Sequence, residues 1–181
     1  MERLRQDFAI GIQWRAFPLH PDTPEEGLNL EALYLGMNLD PHKVKARQER
    51  AAAELGLPLG DRTMTYNSRL ATELGKWAED CGKADAFHDA VFKAYFVDGA
   101  NIAHTDVLVG IAKSVGLSGP EALKILETRA FGQTVDDDWA LAGRLGISAV
   151  PTFVLDGWTL VGAKPYEALV QFLTDRGVRP R

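Results

Sequence analysis

The sequence predicts an α/β fold in which a long run of helices separates an N-terminal strand from a C-terminal β-hairpin. Three observations support this. Apolar residues alternate with their neighbours over residues 10–17, which is typical of a strand. Apolar spacings of three and four residues recur between Asp40 and Leu145, as amphipathic helices require. Asp156-Gly157 then separates two short β-rich runs, a strong local signal for a tight hairpin.

Local signals predict where several helices begin and end. Asp40-Pro41 suits a helix start, because Asp caps free backbone amides and Pro fits the first helical position. That helix should run to about Gly56. The segment Ser118–Glu121 has the form of a capping box. Another helix should present one apolar face made of Leu70, Leu74, Trp77, Ala78 and Cys81.

Composition excludes several classes of protein. The chain has 181 residues, a length typical of one globular domain. Its net charge is −5 and it lacks a block of basic residues, so we do not expect nucleic acid binding. It contains no apolar run of about 20 residues and no leader-like start, so we expect no membrane association and a cytoplasmic location.

Four stretches of the chain resemble the DsbA family, and its FrnE-like branch most closely. That branch is related to the 2-hydroxychromene-2-carboxylate isomerases. The resemblance implies a thioredoxin-like fold with a helical insertion. The thioredoxin-like domain would comprise residues 1–22 and 130–181, and the insertion residues 23–129. The four stretches are Ile12–Pro21, Asn67 with the helix to Trp77, Phe87–Gly99 and Leu145–Val154.

The resemblance also implies that part of the family's fold is not encoded here. The family's Cys-x-x-Cys begins the first helix, and residues 2–7 resemble the end of that helix. We therefore expect the first strand and the cysteine pair to lie upstream of Met1. The absent strand would lie between the strand at 10–17 and the strand at 151–155. We accordingly expect no redox turnover and assign no catalytic residue in this chain.

The candidate binding residues follow from the same resemblance. It implies a cis Val150-Pro151 bond and substrate binding by Ala149, Val150 and Pro151, with Asn67 and Trp77 as further candidates. Each position also has an ordinary structural interpretation. Pro151 can open an edge strand, Asn67 can cap a helix, and Trp77 can fill the core.

Other chemically active residues have structural explanations. One cysteine cannot form an internal disulfide, and the helical spacing of Cys81 predicts a buried, packed thiol. The four histidines show no metal-ligand spacing. Residues 136–138 are three consecutive aspartates, which point in different directions on a helix and so predict a solvated face.

The sequence therefore favours a member of the DsbA-like thiol–disulfide oxidoreductase family. These 181 residues are expected to be redox-inactive because they lack the Cys-x-x-Cys. Two alternatives stay open. One is a glutathione-dependent isomerase or transferase of the 2-hydroxychromene-2-carboxylate isomerase type, and the other is a non-catalytic binding module. The expected partners are thiol- or disulfide-containing peptides or small molecules. We expect no cofactor, with glutathione as the one candidate if there is any, and no metal. Self-association into a homodimer through an incomplete sheet is a further expectation.

Overall fold

The structure, a computed structural model, describes every residue from Met1 to Arg181. It contains nine helices and two small antiparallel sheets, and none of the helices is a candidate membrane span. The helices are α1 (Glu2–Asp7), α2 (Leu30–Gly36), α3 (Pro41–Glu54), α4 (Arg69–Asp80), α5 (Ala84–Phe96), α6 (Thr105–Ser114), α7 (Gly119–Thr128), α8 (Gly132–Arg144) and α9 (Tyr166–Thr174). The strands are β1 (Leu28–Asn29), β2 (Met64–Thr65), β3 (Thr152–Leu155) and β4 (Trp158–Val161).

The chain divides into two compact units. Unit 1 comprises residues 1–19 and 137–181, and unit 2 comprises residues 20–136. The sequence predicts domain boundaries after residue 22 and after residue 129. The observed units change after residue 19 and after residue 136, so the two divisions overlap but their boundaries differ. The assignment of the middle segment as an insertion stays a prediction.

Unit 2 has a helical core formed by α4 to α7. Its side chains include Leu74, Leu108 and Ala122, all fully buried. A helix with 3.6 residues per turn places apolar residues three and four apart on one face, which here faces the neighbouring helices. The predicted apolar face of α4 is confirmed at Leu74, Trp77 and Ala78.

Capping side chains begin two of the helices at the predicted positions. The carboxylate of Asp40 accepts hydrogen bonds from the backbone N–H groups of His42 at 3.0 Å and Lys43 at 3.3 Å. The hydroxyl of Ser118 accepts one from the N–H of Glu121 at 3.4 Å. These bonds satisfy N–H groups that have no partner within the first helical turn.

The predicted hairpin in unit 1 is confirmed. β3 and β4 pair antiparallel, with Leu155 opposite Trp158 beside the turn. Asp156 and Gly157 have φ angles of 48° and 82°, the positive values that a type I′ turn requires at both central residues. One face of the hairpin packs through Phe153, Leu155 and Leu160 against a buried cluster of Leu4, Phe8, Phe172 and Leu173.

The predicted strand over residues 10–17 does not form. Residues 9–18 have no strand pairing, and the hairpin is the only sheet of unit 1. Alternation of apolar residues favours an extended backbone, but a strand also needs a neighbour about 4.8 Å away to complete its hydrogen bonds. Residues 10–17 have no such neighbour, and Ala16 donates its backbone N–H to the carboxylate of Asp138 instead.

Candidate functional site

An exposed loop between α8 and β3 contains three of the predicted binding residues. Gly146, with a φ of 64°, turns the chain after the end of α8. Ala149, Val150 and Pro151 are all exposed, Val150 to 43%. The peptide bond between Val150 and Pro151 is cis. The loop thus lies at the surface of unit 1, immediately before the hairpin.

Two hydrogen bonds hold this loop against the hairpin. The hydroxyl of Thr152 donates to the carbonyl of Ala149 at 2.6 Å. The backbone N–H of Gly162 donates to the carbonyl of Pro151 at 2.7 Å. Between these fixed points, the backbone N–H and C=O of Val150 form no hydrogen bond in the structure. A backbone donor and acceptor are therefore held in an exposed segment without an internal partner.

A buried carboxylate anchors the N-terminal segment of the same unit. Asp138 is one per cent exposed. It accepts hydrogen bonds from Arg15 Nη1 at 2.8 Å and from the backbone N–H of Ala16 at 2.9 Å. The prediction of a solvated face at residues 136–138 is therefore wrong for Asp138. Its partners are 122 and 123 residues away in sequence, so no local pattern could have indicated them.

Asn67 uses its side chain within unit 2. Its Nδ2 donates to the carbonyls of Pro21 at 3.0 Å and Thr23 at 2.7 Å, which occupies both amide hydrogens. Its Oδ1 accepts a hydrogen bond from the N–H of Arg69 at 2.9 Å, in the first turn of α4. Asn67 thus accepts from one free N–H of the first turn of α4, although the N-cap residue of that helix is Ser68. Its contact with a ligand stays a prediction.

Arg69 belongs to an ion network around a buried carboxylate. Glu73, one per cent exposed, accepts hydrogen bonds from Arg129 Nε at 2.7 Å, from Arg129 Nη2 at 2.6 Å and from Arg69 Nε at 2.5 Å. Arg69 Nη1 also donates to Asp136 at 2.7 Å. Two guanidinium groups thus face two carboxylates, an arrangement that suits helix packing rather than ligand chemistry.

The network also determines the protonation of its members. Burial disfavours the charged form of Glu73, but the hydrogen bonds from Arg129 and Arg69 outweigh it, and the pKa of this carboxyl is lowered. The hydrogen bond to Glu73 is the main cause of the raised pKa of Arg129. Each group is therefore held in its charged form.

Two residues of the predicted apolar face of α4 differ in exposure. Trp77 is nine per cent exposed and lies in the core of unit 2 with Phe87, so the structure shows its packing role and its ligand contact stays a prediction. Cys81 is exposed, and the prediction of a buried thiol is wrong. α4 ends at Asp80, and Gly82 turns the chain with a φ of 67°, so Cys81 lies at the helix cap rather than on the inward face.

The structure thus groups Ala149, Val150 and Pro151 in one loop of unit 1, and places Asn67 and Trp77 in unit 2. His, Cys, Asp and Glu side chains form no group of three or more that could hold a metal ion. The candidate site is consequently the exposed loop before the hairpin, which offers backbone hydrogen-bonding groups.

Unit 1 thus combines a hairpin that follows an exposed X-Pro loop with helices packed on one hairpin face, and unit 2 is mainly helical. The chain belongs to the DSBA-like thioredoxin domain family, whose sequence profile matches residues 1–174. This match confirms the fold class and the family predicted from the sequence.

Solved structures share this fold, and one curated relative matches most of the chain. A probable DsbA oxidoreductase from Streptomyces coelicolor superimposes with a TM-score of 0.81 at 26% identity, covering 89% of this chain and 73% of that one. A 2-hydroxychromene-2-carboxylate isomerase gives a TM-score of 0.73 at 20% identity, covering 97% and 84%. The uncharacterized protein YwbO of Bacillus subtilis is 24% identical over 176 residues, 92% of this chain and 82% of YwbO.

Proposed function

We propose that the loop Ala149–Pro151 binds the extended backbone of a thiol- or disulfide-containing ligand. One observation carries the proposal: the backbone N–H and C=O of Val150 have no internal partner in an exposed segment. Extended peptides bind exposed backbone of this kind through paired main-chain hydrogen bonds. Membership in the DSBA-like family supports a thiol or disulfide as the reactive group of the ligand.

The surroundings of Val150 favour a ligand that carries apolar groups next to its thiol. Residues 147–155 contain no charged side chain. Val154 and Val161 are 44% and 50% exposed on the hairpin face that does not meet the buried cluster. Burial of such surface supplies binding free energy in proportion to its area. Backbone pairing at Val150 would therefore be reinforced by apolar contact along β3.

We further propose that these 181 residues do not catalyse dithiol–disulfide exchange by themselves. Such a cycle alternates between two thiols and their disulfide. The sequence contains one cysteine, Cys81, which is exposed at the end of α4 in unit 2. Insulin reduction in the presence of dithiothreitol should proceed at the rate of a protein-free control. Turnover above that control by the purified protein would refute this part of the proposal.

Glutathione is the small-molecule ligand that we propose to test first. Its thiol lies within a short peptide, so the same backbone groups of Val150 could hold it. Fold similarity to an isomerase along 97% of this chain favours glutathione-dependent isomerisation as a second candidate function. An isomerisation assay with 2-hydroxychromene-2-carboxylate and glutathione tests it directly. The FrnE-like branch, the cytoplasmic location and a homodimer stay predictions.

A matched pair of substitutions tests the binding proposal. Thr152→Val removes the hydroxyl that donates to Ala149 but keeps the size of the side chain, whereas Thr152→Ser keeps the hydroxyl. Calorimetric titration with glutathione disulfide should show weaker binding to Thr152→Val by up to about tenfold, the worth of one ordinary hydrogen bond, and little change in Thr152→Ser. The proposal is wrong if the unsubstituted protein binds neither glutathione disulfide nor a peptide disulfide.

A further inference from the structure

The outer face of α5 in unit 2 carries a row of aromatic side chains with an exposed centre. The opposite face of α5, which includes the buried Phe87, packs on the neighbouring helices α4 and α6. The rings of His88 and Phe92 stack with their centres 4.4 Å apart, and the ring centre of Phe96 lies 5.2 Å from that of Phe92. Positions four residues apart lie on the same face of a helix, so the three rings form one aromatic stripe. Phe92, in the middle of the stripe, is 50% exposed.

A loop with exposed leucines meets the carboxyl end of α5. The backbone N–H of Gly60 donates to the carbonyl of Phe96 at 2.9 Å. A Cβ on Gly60 would lie 2.0 Å from the carbonyl oxygen of Val97, so the loop needs glycine for this close approach. Leu59 and Leu57, which lead into this contact, are 37% and 58% exposed. Large apolar side chains that gather at one part of a surface indicate an interaction site, whereas single ones do not.

Two opposite charges lie along one edge of the aromatic stripe. Asp89 and Lys93 are four residues apart on α5 and therefore share one side of the helix. The carboxylate of Asp89 forms no hydrogen bond or ion pair within the chain. The ammonium of Lys93 lies 3.5 Å from the carboxylate of Asp98, and its side chain is 70% exposed. The edge of the stripe thus offers one carboxylate without a partner and one accessible ammonium.

The order of these two charges suits a second copy of α5 that runs in the opposite direction. In a two-fold contact both copies use the same patch, so any contact between two different residues occurs twice. A two-fold axis perpendicular to α5 at the level of Val91 lies midway between Asp89 and Lys93. It brings each carboxylate to the height of the other copy's ammonium, on the same edge of the stripe. The two Phe92 side chains then meet near the axis.

We propose that the outer face of α5 joins two copies of this chain in an antiparallel, two-fold dimer. The aromatic stripe forms the apolar centre of the interface, and two pairs of Asp89 with Lys93 lie at its rim. This interface differs from self-association through an incomplete sheet, because α5 belongs to unit 2 and the hairpin to unit 1. The inference does not depend on ligand binding at Val150, and its test measures mass instead of ligand binding.

Charge reversal followed by mixing tests the antiparallel arrangement. Asp89→Lys and Lys93→Asp each replace two attractive contacts by two repulsive ones. Each variant alone should therefore have a dimer dissociation constant at least about tenfold above that of the unsubstituted protein. An equimolar mixture of the two variants should regain the dimer, because each copy then faces two charges of opposite sign. Sedimentation equilibrium over a range of protein concentrations gives the masses. Recovery on mixing also shows that both variants are folded.

A second pair of variants tests the centre of the interface. Phe92→Ser should give the mass of a single chain, because side chains at the centre of an interface contribute most of the binding free energy. Leu123→Ser, at an exposed leucine of α7, is the matched control and should keep the dimer.

Four results would each overturn the proposal. The unsubstituted protein could have the mass of one chain at every concentration, or the dimer could persist in Phe92→Ser. The mixture of charge variants could stay monomeric, or Leu123→Ser could lose the dimer to the same extent as Phe92→Ser.

Discussion

The buried carboxylate of Asp138 accepts a hydrogen bond from the backbone N–H of Ala16 at 2.9 Å. The same side chain pairs with Arg15 Nη1 at 2.8 Å. Residues 10–17 form no strand, and this carboxylate supplies a partner to one backbone N–H of the segment, that of Ala16. A single acidic side chain on α8 thereby positions the N-terminal part of unit 1.

Asp138→Asn should lower the free energy of unfolding by about 1–3 kcal/mol, because hydrogen bonds to a charged acceptor contribute more than neutral ones. The substitution keeps an acceptor for Ala16 but removes the charge that faces Arg15. Urea denaturation provides the measurement. Asp22→Asn, in an exposed loop, is the control and should change stability by less than about 0.5 kcal/mol. Equal effects of the two substitutions would show that Asp138 does not anchor the segment.

The elements that the sequence predicts well depend on neighbouring residues. Asp40 and Ser118 cap their helices, and Asp156-Gly157 forms the hairpin turn, because each signal acts within a few residues. The strand at 10–17 depends on a partner elsewhere in the chain, and its alternation could not reveal whether that partner is present. The two-residue strands β1 and β2 are too short to leave a periodic signal.

Glu73→Gln should destabilise the protein by about 3–5 kcal/mol, the usual effect of removing one partner from a buried ion pair. Two arginines would then lack their shared carboxylate. Chemical denaturation at neutral pH measures the loss. Glu127→Gln, an exposed residue of α7, serves as the control and should be nearly neutral.

The contribution of Glu73 should also depend on pH. Its pKa in the folded protein is lowered, so the unfolded chain binds its proton more readily. The stabilisation is therefore complete above the unfolded pKa of about 4.3 and is lost as the pH falls through the lower folded value. The stability difference between the unsubstituted protein and Glu73→Gln should be constant from neutral pH to about pH 5 and shrink in more acidic solution. A difference that grows on acidification would contradict the network.

Cys81 should react completely with a thiol reagent in the native protein, because its side chain is exposed at the end of α4. Titration with 5,5′-dithiobis(2-nitrobenzoate) should release one chromophore per chain without denaturant. Cys81→Ser should give no release and should change stability by less than about 0.5 kcal/mol, as is usual at exposed positions. A thiol that reacts only after the protein unfolds would contradict the exposure of Cys81.

Two glycine-to-alanine substitutions should have opposite effects. Gly157 has a φ of 82° in the hairpin turn, and alanine there should cost about 1–2 kcal/mol because its Cβ is strained in the left-handed region. Gly143 lies within α8, and a Cβ there would meet no atom within 4 Å, so alanine should stabilise by about 0.5–1 kcal/mol. Thermal and urea denaturation of both variants check the two signs, and a stabilising Gly157→Ala would contradict the turn.

The candidate site was partly predictable for the same physical reasons. Ala149, Val150 and Pro151 are consecutive, so a family resemblance in the sequence is enough to bring them together. The hydrogen bonds that hold them come from Thr152 and, across the hairpin, from Gly162. The exposure of Cys81 was missed because helical spacing gives the direction of a side chain only as long as the helix continues, and α4 stops one residue earlier.

Backbone amide NMR during titration with glutathione disulfide tests the central proposal most directly. The N–H of Val150 has no internal partner, so its signal should move further than those of its neighbours as a ligand carbonyl accepts from it. The largest shifts should fall within residues 148–152, and Thr152→Val should reduce them. Saturating ligand that leaves the Val150 signal in place, or that shifts only signals elsewhere in the chain, would contradict the account.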